Sequence, residues 1–140
     1  MWQWLKSLFS SPLDDTRVES SANAVLPFLR TCHQQIDQRD FTIPRHHFLI
    51  YCFAYGALDV EASLQGMSES HQLAALLLIV RTLAQLNQTD QSAFFNQCMT
   101  TLESDEGKQF TDLGSQYYQS WQAGDPKASS LLAEHLRQID

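Results

Sequence analysis

The sequence predicts an all-α fold of five to six antiparallel helices, packed as a bundle or as a stack of helical hairpins. Apolar residues recur at spacings of three and four over most of the chain, which places them on one face of a helix. Strand-like alternation is missing, and five glycines and four prolines are too few for an all-β protein that turns every roughly 8–12 residues. A hydrophobic fraction of 44% with a charged fraction of 18% is globular, and 140 residues suit one core.

The chain opens with a short aromatic segment. Trp2, Leu5 and Phe9 fall at helical spacing, and a Ser-Ser-Pro sequence then ends the segment. We therefore divide the chain into an amphipathic aromatic N-terminal arm, residues 1–12, and a single all-α domain, residues 13–140.

The arm has three possible uses. It can dock on the protein's own surface, contact a partner protein, or lie in a membrane interface through residues 1–11. Lys6 alone gives little attraction to anionic lipid, so the membrane is the weaker alternative. The partner-contact residues that we predict here are Trp2, Trp4, Leu8 and Phe9.

The first long helix begins near Asp14 or Asp15. Its buried stripe steps by four and three residues through Val18, Ala22, Val25, Leu29, Cys32 and Ile36. Pro27 lies inside this stripe and has no N–H, so the carbonyl of Asn23 loses its helical partner. We expect a kink, or a break with a restart, at Pro27.

The central helix is predicted at about residues 44–64. Thr42 is a suitable N-cap and Pro44 is tolerated in the first turn. The segment is apolar on nearly every side, which is typical of a helix surrounded by others. Gly56 within it indicates close approach of a neighbouring helix.

The remaining helices are separated by short turns. Short turns pack successive helices as antiparallel hairpins. Gly124 marks the end of one helix, and Pro126 is the first residue of the last. The predicted N-caps, in chain order, are Ser68, Thr89 or Asp90, and Asp125, and a further helix is predicted to start at Ser104-Asp105-Glu106.

The net charge bears on the class of partner, and the cysteines bear on the cellular compartment. The formal net charge is −7 and the nine Lys and Arg residues are scattered, so we expect no nucleic-acid partner. Three cysteines at long spacings argue against a disulfide framework and favour a reducing compartment. We see no secretory signal, and we expect a cytoplasmic, bacterial-type protein.

Histidine and cysteine concentrate at two places, Cys32-His33 and His46-His47 with Cys52. Neither has the short paired spacing of a zinc site, so we predict no metal and no cofactor. One of His46 and His47 should pack and the other should be solvated. Cys32 and Cys52 fall on apolar positions, where a thiol acts as a small hydrophobe, so we predict no catalytic residue.

A pocket is predicted beside the central helix. Most carboxylates lie at helix starts, where they oppose the helix dipole, but Asp59 and Glu61 lie on the apolar helix itself. A carboxylate there must be paired or near an exposed end. Tyr51, Tyr55 and Asp59 follow one another by one turn, and they are the possible pocket residues.

The leading functional hypothesis is a non-enzymatic helical protein–protein interaction domain, an adaptor or regulatory protein. Tyr118 lies off the main stripe of its helix and joins the arm as a possible contact residue. One alternative is an acidic immunity or antitoxin-type inhibitor of a basic toxin. Another is a small-molecule or haem-binding domain with its pocket near Tyr51–Asp59. The oligomeric state stays open.

Overall fold

The computed structural model of the protein describes residues 16–139, apart from the side chains of Gln88 and Thr89. Over these residues the chain is all-helical and contains no strand, which confirms the predicted fold class. The helices are α1 (Thr16–Gln34), α2 (Gln38–Thr42), α3 (Pro44–Gln65), α4 (Glu69–Leu83), α5 (Gln88–Leu102), α6 (Asp105–Gln122) and α7 (Leu131–Gln138), with a 3-10 turn at Ala128–Ser130. The arm residues Trp2, Trp4, Leu8 and Phe9 lie outside the described part.

Helix α3 is the centre of the fold, as its all-round apolar sequence predicted. Side chains from every side of it are fully buried, including Leu49, Cys52 and Phe53. It packs against α1, α4, α5 and α6. Pro44 occupies its first turn, but Thr42 is not its cap: Thr42 ends α2, and Ile43 takes the N-cap position without a side-chain hydrogen bond.

Helix α3 packs most extensively against α6, and the two run in the same direction. At both ends of the two helices, the residues that are hydrogen-bonded between α3 and α6 are 61 positions apart in the sequence. Arg45 Nε donates to Glu106 Oε1 at 2.8 Å near the helix starts, and Gln122 Nε2 donates to Glu61 Oε2 at 3.3 Å near the helix ends. A constant offset requires parallel helices, so the antiparallel expectation is wrong for this pair.

Glycines let these two helices approach closely. A Cβ atom on Gly56 would lie 1.8 Å from the carbonyl oxygen of Thr111, and one on Gly114 would lie 1.9 Å from that of Phe53. Only a residue without a side chain fits at either position. The close approach predicted from Gly56 is confirmed, and α6 is the neighbour.

The predicted N-cap Ser68 and the predicted helix start at Ser104 are confirmed, and another cap is corrected. The Ser68 hydroxyl accepts from the His71 N–H, and the Ser104 hydroxyl accepts from the Gly107 N–H. The cap of α5 is Asn87, whose Oδ1 accepts from the Asp90 N–H, and not Thr89 or Asp90.

Two further features differ from expectation: the turn that precedes α7, and the course of α1 at its proline. Asp125 accepts from the N–H of Lys127 at 2.9 Å, but α7 begins only at Leu131, after the 3-10 turn. Helix α1 continues through Pro27, so a break with a restart is wrong. None of the helices within residues 16–139 is both long and apolar enough to cross a membrane.

Candidate functional site

An open groove of about 770 Å³ lies between the first turns of α4 and α6, against α3 and the last turn of α5. Its floor consists of half-buried apolar and aromatic side chains: Tyr55, Leu73, Met99 and Leu102. Its rim carries three exposed carboxylates and one ammonium: Glu69, Glu103, Asp112 and Lys108. Ser70, Thr100 and Thr111 complete the lining.

Close contacts on either side of the groove fix its walls. Gly56 brings α6 against α3 at Thr111. On the other side, Gln72 Nε2 donates to the carbonyl oxygen of Tyr55 at 3.3 Å, which ties α4 to the same turn of α3. The groove is therefore the space left between two helices that are each held to α3.

The α5–α6 connection closes one end of the groove. A Cβ atom on Gly107 would lie 1.8 Å from the carbonyl oxygen of Thr101, so the end of α5 and the start of α6 are in backbone contact. The Ser104 cap holds this turn. Glu103 and Lys108 project from either side of it and form part of the rim.

The groove is an acidic environment. Burial, together with the nearby carboxylates of Glu69 and Asp59, raises the pKa of Tyr55 to about 12. The three rim carboxylates outnumber the single ammonium of Lys108. An apolar floor with a negative rim suits a ligand that is apolar on one side and positively charged at its edge.

The threonine hydroxyls of the lining are bonded within their own helices. No histidine or cysteine is present among the described lining residues. The two threonine hydroxyls donate to their own helices, Thr100 to the carbonyl of Asn96 at 3.2 Å and Thr111 to that of Gly107 at 2.8 Å. A nucleophile needs an adjacent base, and these hydroxyls already have backbone partners.

The three residues of the predicted pocket are not brought together. Tyr55 lines the groove, whereas Tyr51 is 1% exposed and packs in the core against His47 and Phe94, with burial raising its pKa. Asp59 is exposed and lies outside the lining. Successive turns of a surrounded helix meet different neighbours. One stripe of α3 therefore places Tyr51 in the core, Tyr55 in the groove and Asp59 in the solvent.

Tyr118 is not the surface residue that its spacing predicted. It is 1% exposed, and its hydroxyl donates to Glu61 Oε2 at 2.8 Å. This bond also explains how a carboxylate is accommodated on the apolar central helix. Tyr117 is the less buried of the two, and its hydroxyl is 2.9 Å from His135 Nε2.

The cysteines are buried, as their apolar positions predicted. Cys32, Cys52 and Cys98 are all buried free thiols. Burial raises the pKa of Cys32 and of Cys52 to about 12, which keeps both as thiols.

Of the paired histidines, one packs as expected, but the other is less exposed to solvent than expected. His46 is buried, with its Nδ1 2.7 Å from Asp40 Oδ1. His47 is half-buried among aromatic rings, where burial and then the neighbouring His33 lower its pKa to about 4. Across the described residues, no group of three or more metal-binding side chains is present.

The groove was missed by sequence reasoning because its residues come from four helices that are distant in the chain. Only Tyr55 was singled out in advance. Comparisons of the chain with protein families, with curated proteins and with solved structures found no match.

Proposed function

We propose that this chain is a non-enzymatic protein-interaction domain whose groove holds a short amphipathic segment of a partner, apolar on one face and carrying Lys or Arg beside it. The observation that carries the proposal is the groove itself, with its apolar floor and acidic rim. We call it the Tyr55 groove, after the residue of α3 at its floor.

The floor supports an apolar anchor. Leu73, Met99 and Leu102 are half-buried and come from α4 and α5, so a side chain placed among them would lose water on several sides. Burying one such side chain stabilises a complex by about 1.5–3 kcal/mol. Methionine adapts its shape readily and is common at surfaces that accept varied helical partners.

The rim supports a basic partner. Glu69, Glu103 and Asp112 surround the floor, and opposite charges on a partner would pair with them as it docks. Such rim pairs contribute more to association rate and selectivity than to affinity. The formal net charge of −7 acts in the same direction at longer range.

An acidic immunity or antitoxin-type inhibitor is a special case of this proposal, in which the basic partner is a toxin. A small-molecule ligand is the alternative from another class, since about 770 Å³ lies in the range of ligand sites.

A pair of synthetic helical peptides tests the proposal. One presents Leu on one face and Lys on the other, and its control carries Glu in place of Lys. With isotope-labelled protein, we expect the Leu/Lys peptide to shift the resonances of Tyr55, Leu73 and Leu102 saturably, and the Leu/Glu peptide to leave them unchanged.

Charge-reversed variants show whether the rim selects the peptide. The double variant Glu103→Lys, Asp112→Lys should weaken Leu/Lys binding by at most roughly thirtyfold, if two surface pairs of up to about 1 kcal/mol each are lost. The matched control Glu19→Lys, Glu134→Lys makes the same change in net charge at exposed positions outside the groove. Equal weakening by both double variants, or binding away from the groove, would contradict the proposal.

A further inference from the structure

We infer that the chain's own residues 2–9 occupy the Tyr55 groove when no partner is bound, so that the arm is an internal competitor for the site. This inference rests on the proposed function, because it takes the groove as the site where partners bind. Its evidence is where α1 begins, how far the preceding residues reach, and how their chemistry matches the groove.

The described chain begins beside the groove wall. Arg17 Nη1 donates to the carbonyl oxygens of Gln65 and Gly66, at 3.4 Å and 3.3 Å. These contacts hold the first turn of α1 against the α3–α4 turn. Helix α4 starts three residues later, and its first turn supplies Glu69 and Ser70 to the groove.

The chain before Thr16 is long enough to reach the groove from there. Residues 10–15 span up to about 20 Å when extended, since each residue adds about 3.3–3.6 Å. Residues 2–9 then span about 12 Å if helical.

The composition of residues 2–9 matches both parts of the groove. Trp2, Leu5 and Phe9 share one helical face and can supply the anchors for the floor. Lys6 is the one charged residue of residues 2–9, and its sign is opposite to that of the rim. The segment is itself a short apolar peptide with a basic edge, which is the class of ligand proposed for this site.

A spin label on the arm of the full chain tests the inference. Ser7→Cys provides the attachment site, because the three native thiols are buried. We expect the label to broaden the methyl resonances of Leu73 and Leu102 in the groove. The methyl resonances of Leu26 and Leu78, which line a second and smaller cleft between α1 and α4, should stay sharp.

Two further samples identify the occupant. A mixture of spin-labelled chains with unlabelled, isotope-enriched chains should show no broadening, because the contact is within one chain. Adding Trp2→Ser and Phe9→Ser, which remove two of the proposed anchors, to the labelled chain should shift the docking equilibrium by roughly tenfold for each buried side chain and reduce the broadening accordingly.

Three results would overturn the inference. They are groove resonances that stay sharp, broadening at the exposed Leu64 near the end of α3 or in the second cleft instead, and broadening in the mixed sample, which would indicate a second copy of the chain. If the arm leaves the groove unaffected while the Leu/Lys peptide still binds there, the inference fails and the proposed function stands. Broadening in the groove, combined with no peptide binding even to the Trp2→Ser, Phe9→Ser chain, would contradict the proposed function alone.

Discussion

Replacing Gly114 with alanine should destabilise the protein, because it inserts a methyl group where α3 and α6 are in backbone contact. The new Cβ atom would lie 1.9 Å from the carbonyl oxygen of Phe53, whereas an ordinary contact begins at 3.4 Å. The helices would have to separate by about 1.5 Å along that line. The colliding atoms are backbone, so no side-chain rotation relieves the overlap.

The expected magnitude follows from two opposing effects. Alanine is favoured over glycine inside a helix by about 0.5–1 kcal/mol. Overpacking a well-packed interface costs about 1–3 kcal/mol, and a collision with backbone belongs at the upper end of that range. We therefore expect Gly114→Ala to lower the free energy of unfolding by about 1–2 kcal/mol or more.

Urea unfolding followed by far-ultraviolet circular dichroism measures this change. The matched control is Gln116→Ala, an exposed position two residues along the same helix, which should change stability by less than about 0.5 kcal/mol. If Gly114→Ala is as stable as the unaltered protein, or more stable, then α3 and α6 do not pack as closely as described.

Three other predictions address buried groups. Tyr118→Phe should lower stability by about 1–3 kcal/mol in the same assay, because Glu61 stays buried with one donor lost; no loss would contradict the hydrogen bond. The folded state keeps His47 neutral with a pKa near 4, while the unfolded chain takes up a proton near 6.5, so stability should be level above that pH and fall towards pH 4. The fall should be shallower in His47→Gln, and equal slopes would contradict it. Cys52 should react with a thiol reagent only after unfolding, since its pKa is about 12, and fast labelling of the native chain would show that it is accessible.

Local signals predicted the helices well. The sequence predicts the central helix at about residues 44–64, and α3 spans Pro44–Gln65. The agreement is close because the segment is apolar on all sides and has Pro in its first turn, and these two features define both of its ends. The cap of α5 was missed because residues 87–90 offer several side chains that can cap a helix. The conformation of the turn determines that Asn87 is the residue whose side chain caps α5.

The parallel pairing of α3 with α6 could not be predicted in the same way. Gly56 indicated that some helix approaches closely, but nothing near it in the sequence identifies that helix. The partner is selected by how the intervening helices pack. Parallel packing across two intervening helices is a tertiary property that turn lengths do not encode.

The sequence also contains a signal for the burial of Tyr118. On α6 the residues Phe110, Leu113, Gly114, Tyr117 and Trp121 repeat at spacings of three and four, and this stripe leaves Tyr118 off the predicted buried face. The face that α6 turns towards α3 runs through Phe110, Gly114 and Tyr118, which also repeat every four residues. Glycines seven residues apart, at 107 and 114, mark a face that contacts backbone.

Only one residue of the candidate site could be predicted from the sequence. Tyr55 was proposed as a pocket residue and lines the groove, whereas the rest of the lining comes from α4, α5 and α6. Those residues look like ordinary helix-end acids and half-buried apolar positions when taken one helix at a time. Their function as a group depends on a gap between helices, which no local pattern specifies.

The most direct test of the Tyr55 groove as a protein-binding site is photo-crosslinking in the native host. A photoreactive amino acid would replace exposed Ser70 in the groove, and the control would place it at exposed Arg30 on α1. We predict a discrete crosslinked product from the groove position alone. Its partner peptide, identified by mass spectrometry, should be amphipathic and basic, and the double variant Glu103→Lys, Asp112→Lys should reduce its yield. Equal products from both positions, or a groove product that the charge reversal does not reduce, would contradict the account.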